Sequence, residues 1–229
     1  MGEVVGTAVL ILLGDGVVAG VLLNRSKAQN AGWVVITWAW GIGVLAGVFT
    51  SLAVTDGVAH LNPAVTLGLA SIDLVEWGDV ATLIAGQFVG AAIGATLVWL
   101  AYLPHWAETE DPGLKLAVFS TGPAIRNTAA NLITEIIGTF MLVFGILALP
   151  AEFPTGLAVA LLVVGIGMSL GGPTGYAINP ARDLGPRLMH FILPIAGKGD
   201  SDWSYSWIPV VGPIIGGVIG ALVGDAVFG

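Results

Sequence analysis

The chain has 229 residues, of which 56% are hydrophobic and only 10% charged, and its mean hydropathy is +0.93. Values this far from those of soluble domains predict a multi-pass protein of the cell membrane, with the lipid bilayer as a partner. A formal charge of −8 with no basic patch excludes a nucleic-acid partner, and the absence of cysteine excludes disulfides and thiolate metal or redox sites.

Long apolar runs predict six spans, over 3–23, 33–54, 80–103, 129–149, 155–170 and 207–228. The first run begins within a few residues of Met1 and carries Glu3 where a basic n-region would stand, so no cleavable signal peptide is expected. Residues 24–32 form a short polar link. Residues 104–128, with Pro104, Pro112, Pro123, Glu108, Glu110 and Asp111, read as the longest loop and the midpoint of the chain. Gly171, Gly172 and Pro173 end the fifth span.

Two stretches between these spans are nearly the same: Asn62-Pro63-Ala64 and Asn179-Pro180-Ala181. Asparagine is a favoured N-cap and proline is favoured at the first helical position, so each triplet predicts a helix start. Polar residues return too soon after each for a full crossing, since a helix rises about 1.5 Å per residue and the hydrocarbon core is about 30 Å thick. Both segments are therefore expected to be re-entrant half-helices, and such backbone survives at membrane depth only when buried in protein or lining a watery path.

The halves repeat by position. Glu3-Val4-Val5-Gly6-Thr7 matches Glu135-Ile136-Ile137-Gly138-Thr139, and the ladder Gly86, Gly90, Gly94 matches Gly212, Gly216, Gly220, with one Asn-Pro-Ala between each pair. Each half holds three full spans, an odd number, so the second half enters the membrane inverted. The expected fold is an all-α membrane protein of six transmembrane helices plus two re-entrant half-helices. It forms a single channel domain over 1–229: a first repeat over 1–103, a connecting loop over 104–128 and a second repeat over 129–229. The glycine ladders are read as close helix contacts.

Inversion makes the two half-helix N-termini meet near the midplane. Each carries about half a positive charge, which repels protons and metal cations, while Asn62 and Asn179 offer N–H donors to a neutral hydroxyl or water. The expected function is a passive channel for small uncharged polar solutes. An ion- or proton-coupled secondary transporter uses similar inverted repeats and broken helices and is the alternative. No catalytic set, metal-ligand cluster or phosphate loop is present in the sequence, so neither an enzyme nor a cofactor is expected.

Among single residues, Arg182 within the second half-helix is read as a solute-binding guanidinium, against a structural pair with Asp183. Glu3 and Glu135 are read as acceptors for N–H groups of the re-entrant loops, against a proton relay. His60 is read as a neutral imidazole hydrogen-bonded within its loop, against a pH gate. Asp15 has no repeat partner, since Leu147 stands at the equivalent place, and reads as a buried hydrogen-bonded carboxylate or a subunit contact.

With both Asn-Pro-Ala triplets, the Glu-x-x-Gly-Thr pair and the glycine ladders in register, the chain resembles the aquaporin superfamily of major intrinsic proteins over essentially its full length. Asp183, Arg187, Pro209 and Val210 make it similar to the bacterial glycerol-facilitator branch. That resemblance implies an outer selectivity filter of Trp40, Gly167, Tyr176 and Arg182, with two aromatic faces beside one guanidinium and glycine where water-only members carry histidine. Tyr176 stands where phenylalanine is common and adds a polar handle. Glycerol and similar polyols, water and undissociated lactic acid are the implied solutes, and a homotetramer with one pore per subunit is the implied assembly. The family topology also implies cytoplasmic termini, which puts all seven basic residues on the outer side or in the outer re-entrant loop, the reverse of the positive-inside rule.

Overall fold

The computed structural model describes residues 1–55, 57, 59–150 and 155–229. These residues form ten helices in the order α1 Gly2–Leu22, α2 Trp33–Val54, α3 Pro63–Ala70, α4 Trp77–Ala101, α5 Leu103–Glu108, α6 Pro112–Phe119, α7 Thr128–Leu147, α8 Thr155–Leu170, α9 Pro180–Ile192 and α10 Ile208–Phe228. Five of them, α1, α2, α4, α7 and α10, are long and apolar enough to cross a membrane, and the described part of the sixth, α8, has 16 residues. The six expected spans are thus present, with their ends moved by a few residues.

The stretch over 104–128 differs from expectation, because α5 and α6 lie within or across its start. Pro104 and Pro112 begin these helices instead of breaking them, and the Asp111 side chain caps α6 by accepting from Gly113 N at 2.7 Å. An acid followed by proline is the same start signal as Asn-Pro. Here it was masked by neighbouring charge and proline content that also describe a loop.

Glycine decides how closely the spans approach. A methyl group added at Gly90 would lie 2.4 Å from the carbonyl oxygen of Val4, and one added at Gly94 would lie 2.6 Å from that of Ala8. In the second half, Gly216 and Gly220 stand in the same way against Ile136 and Phe140, at 2.2 and 2.7 Å. Val4 and Ile136 are matched positions, as are Ala8 and Phe140, so α4 packs on α1 as α10 packs on α7. Any side chain at these glycines would push the backbones apart.

Each half-helix is seated on the other half of the chain. Gly68 on α3 meets Gly217 on α10, where an added methyl would sit 2.8 Å from the Gly217 carbonyl; the matched Gly185 on α9 meets Ala91 on α4 at 2.7 Å. Side chains such as Ile42, Phe49, Val89, Ile133 and Leu222 remain exposed on the outside of the bundle, as lipid contact or subunit contact requires.

Candidate functional site

The two triplets meet. Asn62 caps α3 by accepting from Ala64 N at 2.9 Å, and Asn179 caps α9 by accepting from Ala181 N at 3.0 Å and Arg182 N at 3.2 Å. Each amide also reaches across to the opposite loop: Asn62 Nδ2 donates to the Ile178 carbonyl and Asn179 Nδ2 to the Leu61 carbonyl, both at 2.8 Å. A primary amide has two N–H groups, so each asparagine keeps one for the cavity that both residues line. Pro63, Ala64, Pro180 and Ala181 are buried first-turn residues of the two half-helices, whose N-termini face one another here.

The residues before the asparagines are bent out of the usual backbone range. Leu61 has φ +54° and Ile178 φ +43°, values that a bulky or β-branched side chain rarely adopts. Their amides point away from helix or sheet partners, and buried carboxylates receive them. Glu3 accepts from His60 N at 2.7 Å and Leu61 N at 2.9 Å; Glu135 accepts from Ala177 N at 3.1 Å and Ile178 N at 2.9 Å. Glu3 is further held by Gln87 Nε2 at 2.7 Å, and Gln87 also donates to Thr66 Oγ1. His60 lines the cavity, with its Nδ1 3.1 Å from Thr66 Oγ1.

A cavity of about 360 Å³ runs from Trp40, Tyr176 and Arg182 at one end, past the two asparagines and His60, to Gly57 and Thr155 at the other. Apolar side chains such as Leu10, Val44, Val65, Leu142 and Val163 make up most of its wall. Among the described residues its polar side chains are few: Thr155 at one end, Asn62, Asn179 and His60 near the midplane, and Arg182 and Tyr176 at the other end. At that end the Arg182 guanidinium lies 4.0 Å over the Trp40 ring, and Nη1 is 3.4 Å from the Phe119 carbonyl. Trp40 in turn packs on Gly14, where even a methyl group would fall 2.2 Å from the ring.

Tyr176 also has a positive φ, +41°, and its ring stands edge-on to Trp33 at 5.6 Å. Gly167 lies one layer behind that ring: a methyl added there would be 2.8 Å from Tyr176 Cζ and 3.0 Å from Thr37 Cγ2. Trp33 Nε1 donates to the Gly167 carbonyl at 3.0 Å, which fixes the position of both. Of the four expected filter residues, Trp40, Tyr176 and Arg182 thus line the cavity, and the space left by Gly167 is filled by tyrosine.

The ion pairs disfavour the alternative role of Arg182, a pair with Asp183, and leave Asp15 buried but, among the described residues, without the hydrogen bonds expected of it. Asp183 is paired with Arg187 and not with Arg182: Arg187 Nη2 lies 2.8 Å and Nε 2.9 Å from Asp183 Oδ1, and both side chains are fully buried. Being four residues apart on α9, they face the same side, which the spacing already allowed. Together they bind the chain around them, since Asp183 accepts from Thr121 N and Oγ1, both at 2.7 Å, while Arg187 donates to the carbonyls of Thr121 and Ser201, both at 2.8 Å. Arg182 is paired instead with Asp15, whose carboxylate is buried inside the chain, 3.5 Å from Nη1, and accepts no hydrogen bond among the described residues. The sequence marked Asp15 only as a charge between two glycines within a largely apolar span, with nothing to name Arg182 as its partner.

The model of the family described as "Major intrinsic protein" matches residues 1–224. The chain is 56% identical over 216 residues to "Glycerol uptake facilitator protein 3" of Lactiplantibacillus plantarum, covering 93% of this chain and 89% of that protein. To the "Probable glycerol uptake facilitator protein" of Thermotoga maritima it is 57% identical over 216 residues, covering 93% and 92%. Among solved structures, the aquaglyceroporin from Plasmodium falciparum superposes with a TM-score of 0.85 at 28% identity, over 99% of this chain and 94% of that one. With the family model matching residues 1–224 of this chain, on a bundle whose two Asn-Pro-Ala half-helices meet head to head, this chain belongs to the major intrinsic protein family.

Proposed function

We propose that this chain is a passive channel of the cell membrane that carries glycerol and similarly small neutral polyols. It is a multi-pass membrane protein and a channel, not an enzyme. The observation that carries the reading is the meeting of two capped half-helix N-termini, tied by Asn62 and Asn179, on one mostly apolar cavity. A polyol offers carbon on one side and hydroxyls on the other. Trp40 and Tyr176 suit the first, and the guanidinium of Arg182 suits the second. At the midplane the free N–H groups of Asn62 and Asn179 can bind a hydroxyl oxygen, while the positive ends of α3 and α9 repel cations.

Similarity to glycerol uptake facilitators supports glycerol as the solute, and water and undissociated lactic acid are expected to pass the same filter. Glu3, Glu135 and His60 support the loops; they do not relay protons. The two halves make one channel domain, because each half-helix rests on the other half. The exposed apolar flanks suit assembly into a homotetramer with one pore per subunit. Coupled transport is disfavoured, because the midplane offers two amides and two helix N-termini and neither needs an ion to bind a solute.

Purified protein in vesicles tests this by light scattering after challenge with glycerol, water or lactic acid at two pH values. Glycerol flux should not saturate, should depend weakly on temperature and should need no ion gradient. Lactic acid flux should rise as pH falls towards the acid's pKa. Glycerol uptake that requires a sodium or proton gradient would establish the transporter instead.

A further inference from the structure

Asp15 sits in the middle of α1, wholly buried, and neither carboxylate oxygen accepts a hydrogen bond among the described residues. Its ion-pair partner is Arg182, at 3.5 Å, the residue that supplies the cationic side of the filter. Asp183 is also charged and near, but Arg187 neutralises it at 2.8 Å. A carboxylate at this depth is costly, so its presence calls for a reason. Loop support is not one, because Glu3 performs that role on the same helix.

The internal repeat supplies the reason. The position matching Asp15 in the second half is Leu147, and the position matching Arg182 in the first half is Val65. Neither charge has a repeat counterpart. The acid therefore serves no requirement shared by the two halves of the fold, and it lies within ion-pair distance of the unmatched arginine.

We propose that Asp15 is the counter-charge of the filter and determines its specificity for neutral solutes. This inference rests on the channel reading above. Two half-helix N-termini and a guanidinium all carry positive charge along one cavity of low polarity, and that field alone would draw in small anions as strongly as it rejects cations. The Asp15 carboxylate cancels the charge of Arg182 from behind, without entering the lumen. The constriction keeps its N–H donors for hydroxyl oxygens, yet offers no net charge to a carboxylate. Asp15 also helps to fix the guanidinium against the Trp40 ring, which packs on the neighbouring Gly14. It acts through Arg182 and is a positioning residue.

The test is glycerol flux into vesicles carrying wild type or Asp15→Asn, with the same sodium salt on both faces at neutral pH. Formate serves as the small anion and gluconate as a control too large for the filter. In Asp15→Asn the arginine is uncompensated, so formate should halve glycerol flux at a concentration about tenfold or more below that needed for wild type, with gluconate inert in both. Equal formate sensitivity in the two proteins overturns the counter-charge while leaving the channel reading intact. Wild-type vesicles that pass no glycerol overturn the channel reading, and this inference with it. Should Asp15→Asn fail to reach the membrane, the pair is tested by yield: Asp15→Asn with Arg182→Met leaves no lone buried charge and should accumulate above Arg182→Met alone. A double variant no better than that single one overturns the pairing.

Discussion

Ile178 is held in the left-handed region by Glu135, whose carboxylate accepts the Ile178 N–H at 2.9 Å while the carbonyl of the same residue accepts from Asn62 at 2.8 Å. Glu135 thus orients the carbonyl that joins the two half-helix loops. Removing the carboxylate in Glu135→Ala orphans the amides of Ala177 and Ile178, at about 1–3 kcal/mol for each buried donor. Glu135→Gln keeps one acceptor. Thermal melts in detergent should rank wild type above Gln and Gln above Ala, and glycerol flux should fall in the same order. If the two variants melt alike and differ from wild type only in how flux depends on pH, Glu135 handles protons.

Asn179→Asp should admit cations. The substitution places a carboxylate where both α3 and α9 present their positive ends, and so stabilises a cation at the point that repelled it. Its Oδ1 can still accept from Ala181 N and Arg182 N, so the cap survives, but the donor to the Leu61 carbonyl is lost. Voltage-clamped membranes should show a sodium or proton current absent from wild type. Retained glycerol flux with no current would disprove the electrostatic account of the midplane.

The Asp183–Arg187 pair predicts a stability defect without a change of selectivity. Both side chains are fully buried, and truncating one leaves the other charged and unpaired, a loss of about 3–5 kcal/mol. Asp183→Asn should therefore melt well below wild type and loosen the chain near Thr121 and Ser201, which hydrogen exchange can read. The glycerol-to-water flux ratio of the folded fraction should be unchanged. A shifted ratio at unchanged melting temperature would place the pair in the filter.

What was legible in the sequence follows from what repeats. Long apolar runs set the spans, and capping chemistry set the half-helix starts, because Asn-Pro carries its own local physics at both sites. Glu3 and Glu135 were visible as matched acids in apolar helices, and the strain at Leu61 and Ile178 explains why they are needed there. Contacts between residues far apart in the chain and unmatched by the repeat were not legible. Nothing local to Asp15 points to Arg182, and nothing local to Gly167 says that a ring from Tyr176 occupies its side. The α5 and α6 helices were missed for the opposite reason, since prolines that start helices and prolines that break them look alike in the sequence; Asp111 caps α6, whereas α5 starts without a side-chain cap.

Gly167 and Tyr176 together set the width of the filter, and the size of the residue at 167 acts through the tyrosine. A methyl at 167 would already come within 2.8 Å of the Tyr176 ring, and Thr37 closes the other side at 3.0 Å. Trp33 blocks retreat of the ring, because it stands edge-on at 5.6 Å and is fixed by its hydrogen bond to the Gly167 carbonyl. With those directions closed, a side chain at 167 drives the ring towards Arg182 and the lumen. Gly167→His should then cut glycerol flux by about tenfold or more and water flux much less, since a water molecule needs a narrower opening than a three-carbon chain. Gly167→Ala should show the same bias in smaller degree. Removing the ring separates steric displacement from added polarity: Gly167→His with Tyr176→Ala should regain glycerol flux relative to Gly167→His alone. If the glycerol-to-water ratio is the same in wild type and Gly167→His, neither residue sets the filter. If the double variant stays as restrictive as the single, the histidine itself narrows the pore and the tyrosine is a bystander.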